Sequence, residues 1–195
     1  MDKLKNAEAL VVRQKKEWGE ILTGFETKNK YAVMDASGQE LYFAAEESSF
    51  LARFFLKIFR PFSVHVVNRD GRHVIKGVKP FRFYFHEMEV LDGEGRMIGK
   101  ICRRFSLLTK KFEIRDHQDL VVCELEAPFF HPWTFKIGSN GSEVGEIVKK
   151  WSGLGKEMFT DADNFSVKFP LGADVSRKAL LLGALFLIDM VYFEK

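Results

Sequence analysis

Apolar residues from Lys30 onward fall in short runs, many alternating with polar ones, with turns rich in Asp, Asn and Gly between paired runs. Period-two alternation bounded by turn residues is the pattern of half-buried β-strands. Tyr31–Met34, the turn Asp35-Ala-Ser-Gly38 and Glu40–Phe43 read as strand, turn, strand. The same grammar returns in Val64–Val67, Asn68–Gly71 and His73–Ile75, and in Met88–Leu91, Asp92–Gly95 and Met97–Ile101. It returns again in Lys111–Ile114, Arg115–Asp119 and Leu120–Leu125, and in Thr134–Ile137, Gly138–Gly141 and Glu143–Ile147. The turn residues Asn68, Asp92, Asp116, Asn140 and Asp163 follow one another at 24, 24, 24 and 23 residues. That regularity reads as a repeated hairpin; a plain meander with evenly spaced turns is the alternative. Six such units make about twelve strands.

The two ends follow other rules. Leu4, Ala7, Leu10, Val11, Trp18, Ile21 and Leu22 recur at three- and four-residue steps, which predicts a helix over 4–22 stopped at Thr23-Gly24. The chain then divides into a helical arm, 1–24, and a barrel domain, 25–195. Near the C-terminus, Lys178–Phe193 is apolar on every face except at Asp189. Such a helix either spans a membrane or is buried on all sides. Sixteen residues rise about 24 Å, short of a hydrocarbon core of about 30 Å. A carboxylate within the bilayer adds about 3 kcal/mol of cost. Eight strands close on a bore that their own side chains fill, so about twelve leave a hole for one helix, which is about 10–12 Å wide. The expected fold is therefore mainly β: a closed, antiparallel barrel of about twelve strands around a central helix over about 175–193. Leu181, Leu185, Phe186, Ile188 and Asp189 belong to that helix. A single membrane span by the same segment is the secondary reading.

Composition narrows the function. With 195 residues, 46% apolar and 29% charged, the chain is an ordinary globular domain. Thirty Lys+Arg against 27 Asp+Glu give +3, too small a charge to imply nucleic acid. Cys102 and Cys123 form no CxxC, which excludes a disulfide framework or a zinc site. Residues 1–16 are charged and carry no apolar run, so no secretory signal is expected.

Several motifs then fall in a recognisable order. They are Thr23–Tyr31, Gly38-Gln-Glu-Leu-Tyr-Phe-Ala-Ala-Glu46, Arg60-Pro-Phe62, Lys149-Lys-Trp-Ser-Gly153, Phe159–Phe165, Phe169-Pro-Leu171 and Gly183–Glu194. On these residues the chain resembles the phospholipid scramblase family over about 10–194. The resemblance implies a Tubby-like, LURP-one-related barrel closed on a hydrophobic helix. It also implies calcium-stimulated movement of phospholipids, with peripheral association at the cytoplasmic face of a membrane and an anionic phospholipid surface as partner. The alternative is a lipid-sensing or protein-interaction module of the same fold that transports nothing.

The family's calcium loop maps onto Asp161–Gly172. Calcium takes six to eight oxygens. Asp161, Asp163, Asn164 and Asp174 are the candidate donors, and Gly172 stands where the family has an acid. The competing reading is a turn feeding a strand, because Phe165, Val167 and Phe169 alternate with Ser166 and Lys168. Family members carry acylated cysteine clusters near the second strand unit. Here that region is Phe-rich: Phe50, Leu51, Arg53, Phe54, Phe55, Lys57, Phe59 and Arg60, followed by Phe81–His86. Rings between cations suit a membrane interface; filling of the barrel wall is the other reading. Arg103-Arg104, Lys110-Lys111 and Lys149-Lys150 are basic pairs at strand ends, either for a headgroup or merely solvated. Glu46-Glu47 and Glu124/Glu126 look solvated. The five His are dispersed, and no GxSxG, P-loop or HExxH is present.

Overall fold

The computed structural model describes residues 1–15, 29–49, 59–150 and 164–193. Twelve strands close into one antiparallel barrel. They are β1 (Ala9–Gln14), β2 (Lys30–Asp35), β3 (Glu40–Glu47), β4 (Phe62–Val67), β5 (His73–Lys79) and β6 (Glu87–Asp92), followed by β7 (Met97–Arg104), β8 (Thr109–Asp116), β9 (Val121–Pro128), β10 (Thr134–Ser139), β11 (Ser142–Lys150) and β12 (Asn164–Lys168). Each strand pairs with its neighbours in sequence, and β1 closes the ring by pairing with both β2 and β12.

The repeat has a physical cause in four equivalent turns. Asp35, Asn68, Asp92 and Asp116 each turn one side-chain oxygen onto the backbone N–H groups two and four residues later, at 2.9–3.0 Å. The fourth turn position has positive φ in each, at Gly38, Gly71, Gly95 and Asp119. Asp and Asn favour such turns because their side chains supply the acceptor the backbone lacks. Asn140-Gly141 is a shorter link of the Asn-Gly kind, both residues having positive φ, between the paired Ser139 and Ser142. Asp163 lies outside the described residues. Ten strands thus come from five hairpins, and no sixth hairpin is needed.

The remaining pair corrects the reading of the N-terminus. The helix expected over 4–22 is confined, among the described residues, to α1 (Asp2–Lys5), and Ala9–Gln14 is a barrel strand. Leu10 and Val12 point inward, and Val12 sits opposite Phe165 of β12 and Val33 of β2. Phe165 and Val167 are likewise buried, as the strand reading of that segment requires.

The bore holds one helix, α2 (Val175–Ile188), continued by a π-helical turn over Asp189–Phe193. Asp174 caps it, its side chain accepting from Arg177 N at 2.7 Å. Leu180–Leu182 and Ala184–Ile188 are all at most 1% exposed, so the segment is a core plug rather than a membrane span. Among the described residues no helix is long and apolar enough to cross a membrane. Gly183 faces β6 closely: a Cβ there would lie 2.9 Å from Val90 Cγ2 and 3.4 Å from Ile101 Cδ1. At the other end of α2, Lys178 Nζ donates to the carbonyls of Leu4 and Lys5, tying α1 over the barrel mouth.

Candidate functional site: the loop end of the barrel

Antiparallel up-and-down order sorts the connections by end. The tight turns at 35–39, 68–72, 92–96, 116–120 and 140–141 all follow even-numbered strands, so they share one end. The connections 80–86, 105–108 and 129–133 follow odd-numbered strands and share the other. The central helix enters at the turn end and its π turn finishes at the loop end.

Exposed apolar side chains concentrate at the loop end. The first connection shows Phe81, Phe83, Tyr84 and Phe85, the second Phe105, Leu107 and Leu108, the third Phe129, Phe130 and Trp133. Tyr84 is 82% exposed, Leu108 79% and Phe130 89%. Near the turn end only Met97, Leu120, Val121 and Leu171 are comparable among the described residues. Solvated apolar surface of this kind is costly, and its concentration on one end marks a contact surface. Phe81, Phe83 and Phe85 therefore do not fill the wall. Phe81 meets Phe83 edge-on at 4.8 Å, and Phe83 lies 5.9 Å from Phe59. Arg82 lies among them, 3.8 Å from Glu87.

Inside the mouth the picture is polar. Glu46 is fully buried and accepts from Arg60 Nη2 at 2.7 Å, from Asn29 at 2.6 Å and from Ser48 at 2.7 Å. Glu46 is thus not a solvated acid, and Arg60 is 6% exposed within this network. Asp189 accepts from Tyr31 Oη at 2.7 Å and lies 3.6 Å from Lys149 Nζ, so the helix carboxylate has found a lysine of the barrel. Phe59 packs beside His86 at 6.3 Å. Phe50, Leu51, Arg53, Phe54, Phe55 and Lys57 lie outside the described residues.

Alternation divides the basic pairs. Arg104 and Lys111 face outward, bound to Glu113 at 2.6 Å and to Glu124 at 3.0 Å. Arg103 and Lys110 face inward over the ring of Tyr192, at 5.7 and 4.0 Å from its centre. Burial, then the nearby Arg103 charge, lowers the Lys110 pKa. The sequence pattern did not single out Lys79, and it placed His86 only at the end of the Phe-rich run and among the dispersed His; both are buried at this mouth. Lys79 Nζ donates to the Arg60 carbonyl at 2.8 Å, and burial followed by the Arg60 charge brings its pKa down to about 8. His86 is brought down to about 4 by burial, then by Lys79 and Arg103.

The calcium donors are not gathered by the described residues. Asn164 starts β12 at the loop end and accepts from Arg13 Nε at 3.2 Å. Asp174 caps α2 at the turn end. A strand rises about 3.3 Å per residue, so five residues of β12 hold these two groups more than a calcium shell apart. Asp161 and Asp163 lie outside the described residues. Among those described, no three His, Cys, Asp or Glu side chains converge as a metal site.

Comparison with known proteins follows the same line. The family profile described as Scramblase matches residues 1–195. Phospholipid scramblase 2 of Bos taurus is 35% identical over 208 residues, covering the whole of this chain and 71% of the relative. Phospholipid scramblase 1 is 34% identical in Mus musculus and in Homo sapiens, again over the whole chain, which spans 64% and 65% of those relatives. No solved structure matches.

Proposed function

The chain belongs to the scramblase family, and from that premise we propose that it acts on phospholipids at a membrane surface, with the loop end of its barrel as the lipid-facing end. The observation that carries this reading is the aromatic crown over a basic mouth. Rings of Phe and Tyr enter the headgroup boundary, and the Arg and Lys among and beneath them meet lipid phosphate. Association is peripheral, on the cytoplasmic face, and the partner is an anionic phospholipid surface.

The filled bore favours a second reading in parallel. Leu181, Leu185, Phe186 and Ile188 occupy the barrel axis, so lipid cannot pass through it while the helix stays in place. A lipid-binding module that moves nothing fits that packing. Calcium stimulation is a separate part of the proposal: its candidate donors are Asp161, Asp163 and Asn164, without Asp174. Dithionite quenching of labelled lipid in liposomes carrying the purified protein, with and without calcium, separates these readings. Loss of both leaflets' signal supports scrambling. Loss of the outer half alone, with liposome binding, supports the module.

A further inference from the structure

Four neighbouring positions at the loop-end mouth, three on strands and one beside a strand, each aim a nitrogen-bearing side chain into the bore. They are Lys79 at the end of β5, His86 just before β6, Arg103 on β7 and Lys110 on β8. Their inward direction follows from strand alternation, since Gly77 and Met88 face the same core. The backbone binds the group together, Arg103 N donating to the His86 carbonyl at 2.8 Å.

The charge in this arc is not balanced. The two inward carboxylates of the described mouth are already engaged, Glu46 with Arg60 and Asp189 with Tyr31 and Lys149. Among the described residues no carboxylate pairs with Lys79, Arg103 or Lys110. Buried cations in native proteins are matched by an anion or by strong acceptors. Lys79 has two backbone carbonyls, at 2.8 and 3.5 Å. Arg103 has the face of Tyr192, and Lys110 the faces of Tyr192 and, at 5.6 Å, Phe193; rings carry no countercharge.

A second, independent observation lies beside them. Both ring nitrogens of His86 and the hydroxyl of Tyr192 are buried without a hydrogen-bond partner. Such orphaned groups call for an explanation, a missing ion among them. His86 is 1% exposed, whereas Arg103 and Lys110 are half-buried and reachable from outside.

We propose that this arc binds a phosphate group, with Arg103 and Lys110 as its charged donors, Tyr192 Oη and a His86 nitrogen completing the cradle, and Lys79 supplying charge from behind. The proposal rests on the lipid reading above for its source, a phosphate-bearing headgroup, but the same chemistry would take a free phosphate ester. A phosphomonoester suits it better than a zwitterionic headgroup, because three cations face it without a neutralising acid. Charge-assisted hydrogen bonds to phosphate are the strong ones, and Arg provides two at once.

The test uses the intact chain and three probes: vesicles of phosphatidylcholine with phosphatidic acid, vesicles with phosphatidylserine at equal surface charge, and soluble inositol hexakisphosphate. Flotation measures the first two and calorimetry the third. We expect phosphatidic acid to bind at least tenfold more tightly than phosphatidylserine. Arg103→Gln and Lys110→Gln should each remove most of that preference while the melting temperature stays within a few degrees. Lys79→Met deletes a buried cation without opening a cavity and gives an independent variant. In nuclear magnetic resonance, the His86 imidazole should shift with the phosphate probe and not with phosphatidylserine. Binding of inositol hexakisphosphate that depends on Arg103 and Lys110, without vesicle binding, keeps the site and overturns the lipid source. Vesicle binding with no preference, unchanged in both Gln variants, overturns the site and leaves the lipid reading standing; the cations then serve only the carboxyl end of the central helix. No binding to any probe overturns both.

Discussion

Gly183→Leu tests whether the C-terminal helix is the core of the barrel. In a solvated or lipid-facing helix this change is favourable, because Gly trails Ala by about 0.8–1 kcal/mol of helix propensity and Leu ranks just behind Ala. In the bore the sign reverses. The first added carbon alone would stand 2.9 Å from Val90 Cγ2, on a β-branched side chain of the wall, and 3.4 Å from Ile101 Cδ1. Both neighbours are buried in strands paired on either side, so they have little room to yield. Overpacking of this kind costs about 1–3 kcal/mol, and three further carbons place it near the upper figure. The net loss is about 2 kcal/mol, which lowers the melting temperature of a chain of this size by about 4–8 °C. Thermal unfolding by circular dichroism measures it. Val90→Ala in the Gly183→Leu background should recover part of the loss, with a coupling of about 1 kcal/mol in the double-mutant cycle. An unchanged or raised melting temperature, or strict additivity with Val90→Ala, would refute the plug.

Other expectations follow from the turns, the mouth and the crown. Asp92 is held below the usual Asp value by its hydrogen bonds to Arg96, so its contribution is present above the unfolded value of 3.8 and is lost as pH falls through the lower folded value. Asp92→Asn, which copies the turn at Asn68, should keep the fold at pH 7 and flatten that acid limb in urea titrations. His86, brought down to about 4, takes up its proton more readily when unfolded. Stability should therefore fall as pH drops from about 6.5 to about 4, and His86→Phe should flatten that slope, leaving the share of His65, which burial also lowers. Phe130→Ser alters a side chain that is 89% exposed, so stability should stay within about 0.5 kcal/mol. Burying a Phe is worth about 1.5–3 kcal/mol, so vesicle partitioning should fall roughly tenfold or more; unchanged sedimentation with liposomes would remove Phe130 from the interface.

The sequence was most legible where the physics is local. Asp35, Asn68, Asp92 and Asp116 make their turns with bonds that reach no further than four residues, so the hairpins could be read from the turns. The all-round apolarity of Leu180–Ile188 likewise announced a helix buried on every side. β1 is hidden in the sequence because Leu4, Ala7, Leu10 and Val11 also fit helical steps, whereas Val12 gains its strand from Phe165, far along the chain. Phe81, Phe83 and Phe85 have strand spacing, but β5 has already ended at Lys79 and Pro80 offers no N–H for a ladder. The mouth was the least legible part. Nothing in Arg103-Arg104 or Lys110-Lys111 tells which member faces inward until the register is known. Glu46 looked solvated because its partner Arg60 sits 14 residues away at the approach to the next strand.

The orientation of the barrel on the bilayer is the most direct test of the whole account. Phe130 and Leu171, 89% and 99% exposed, mark the loop end and the turn end. A single cysteine at either position can carry an environment-sensitive fluorophore. The native thiols interfere little: Cys102 is buried with a raised pKa, and burial pushes Cys123 up to about 12. With anionic vesicles, the label at 130 should shift to the blue and be quenched by spin-labelled lipid, while the label at 171 stays in water. Insertion of the label at 171, or no change at either position, would contradict the assignment of the loop end to lipid.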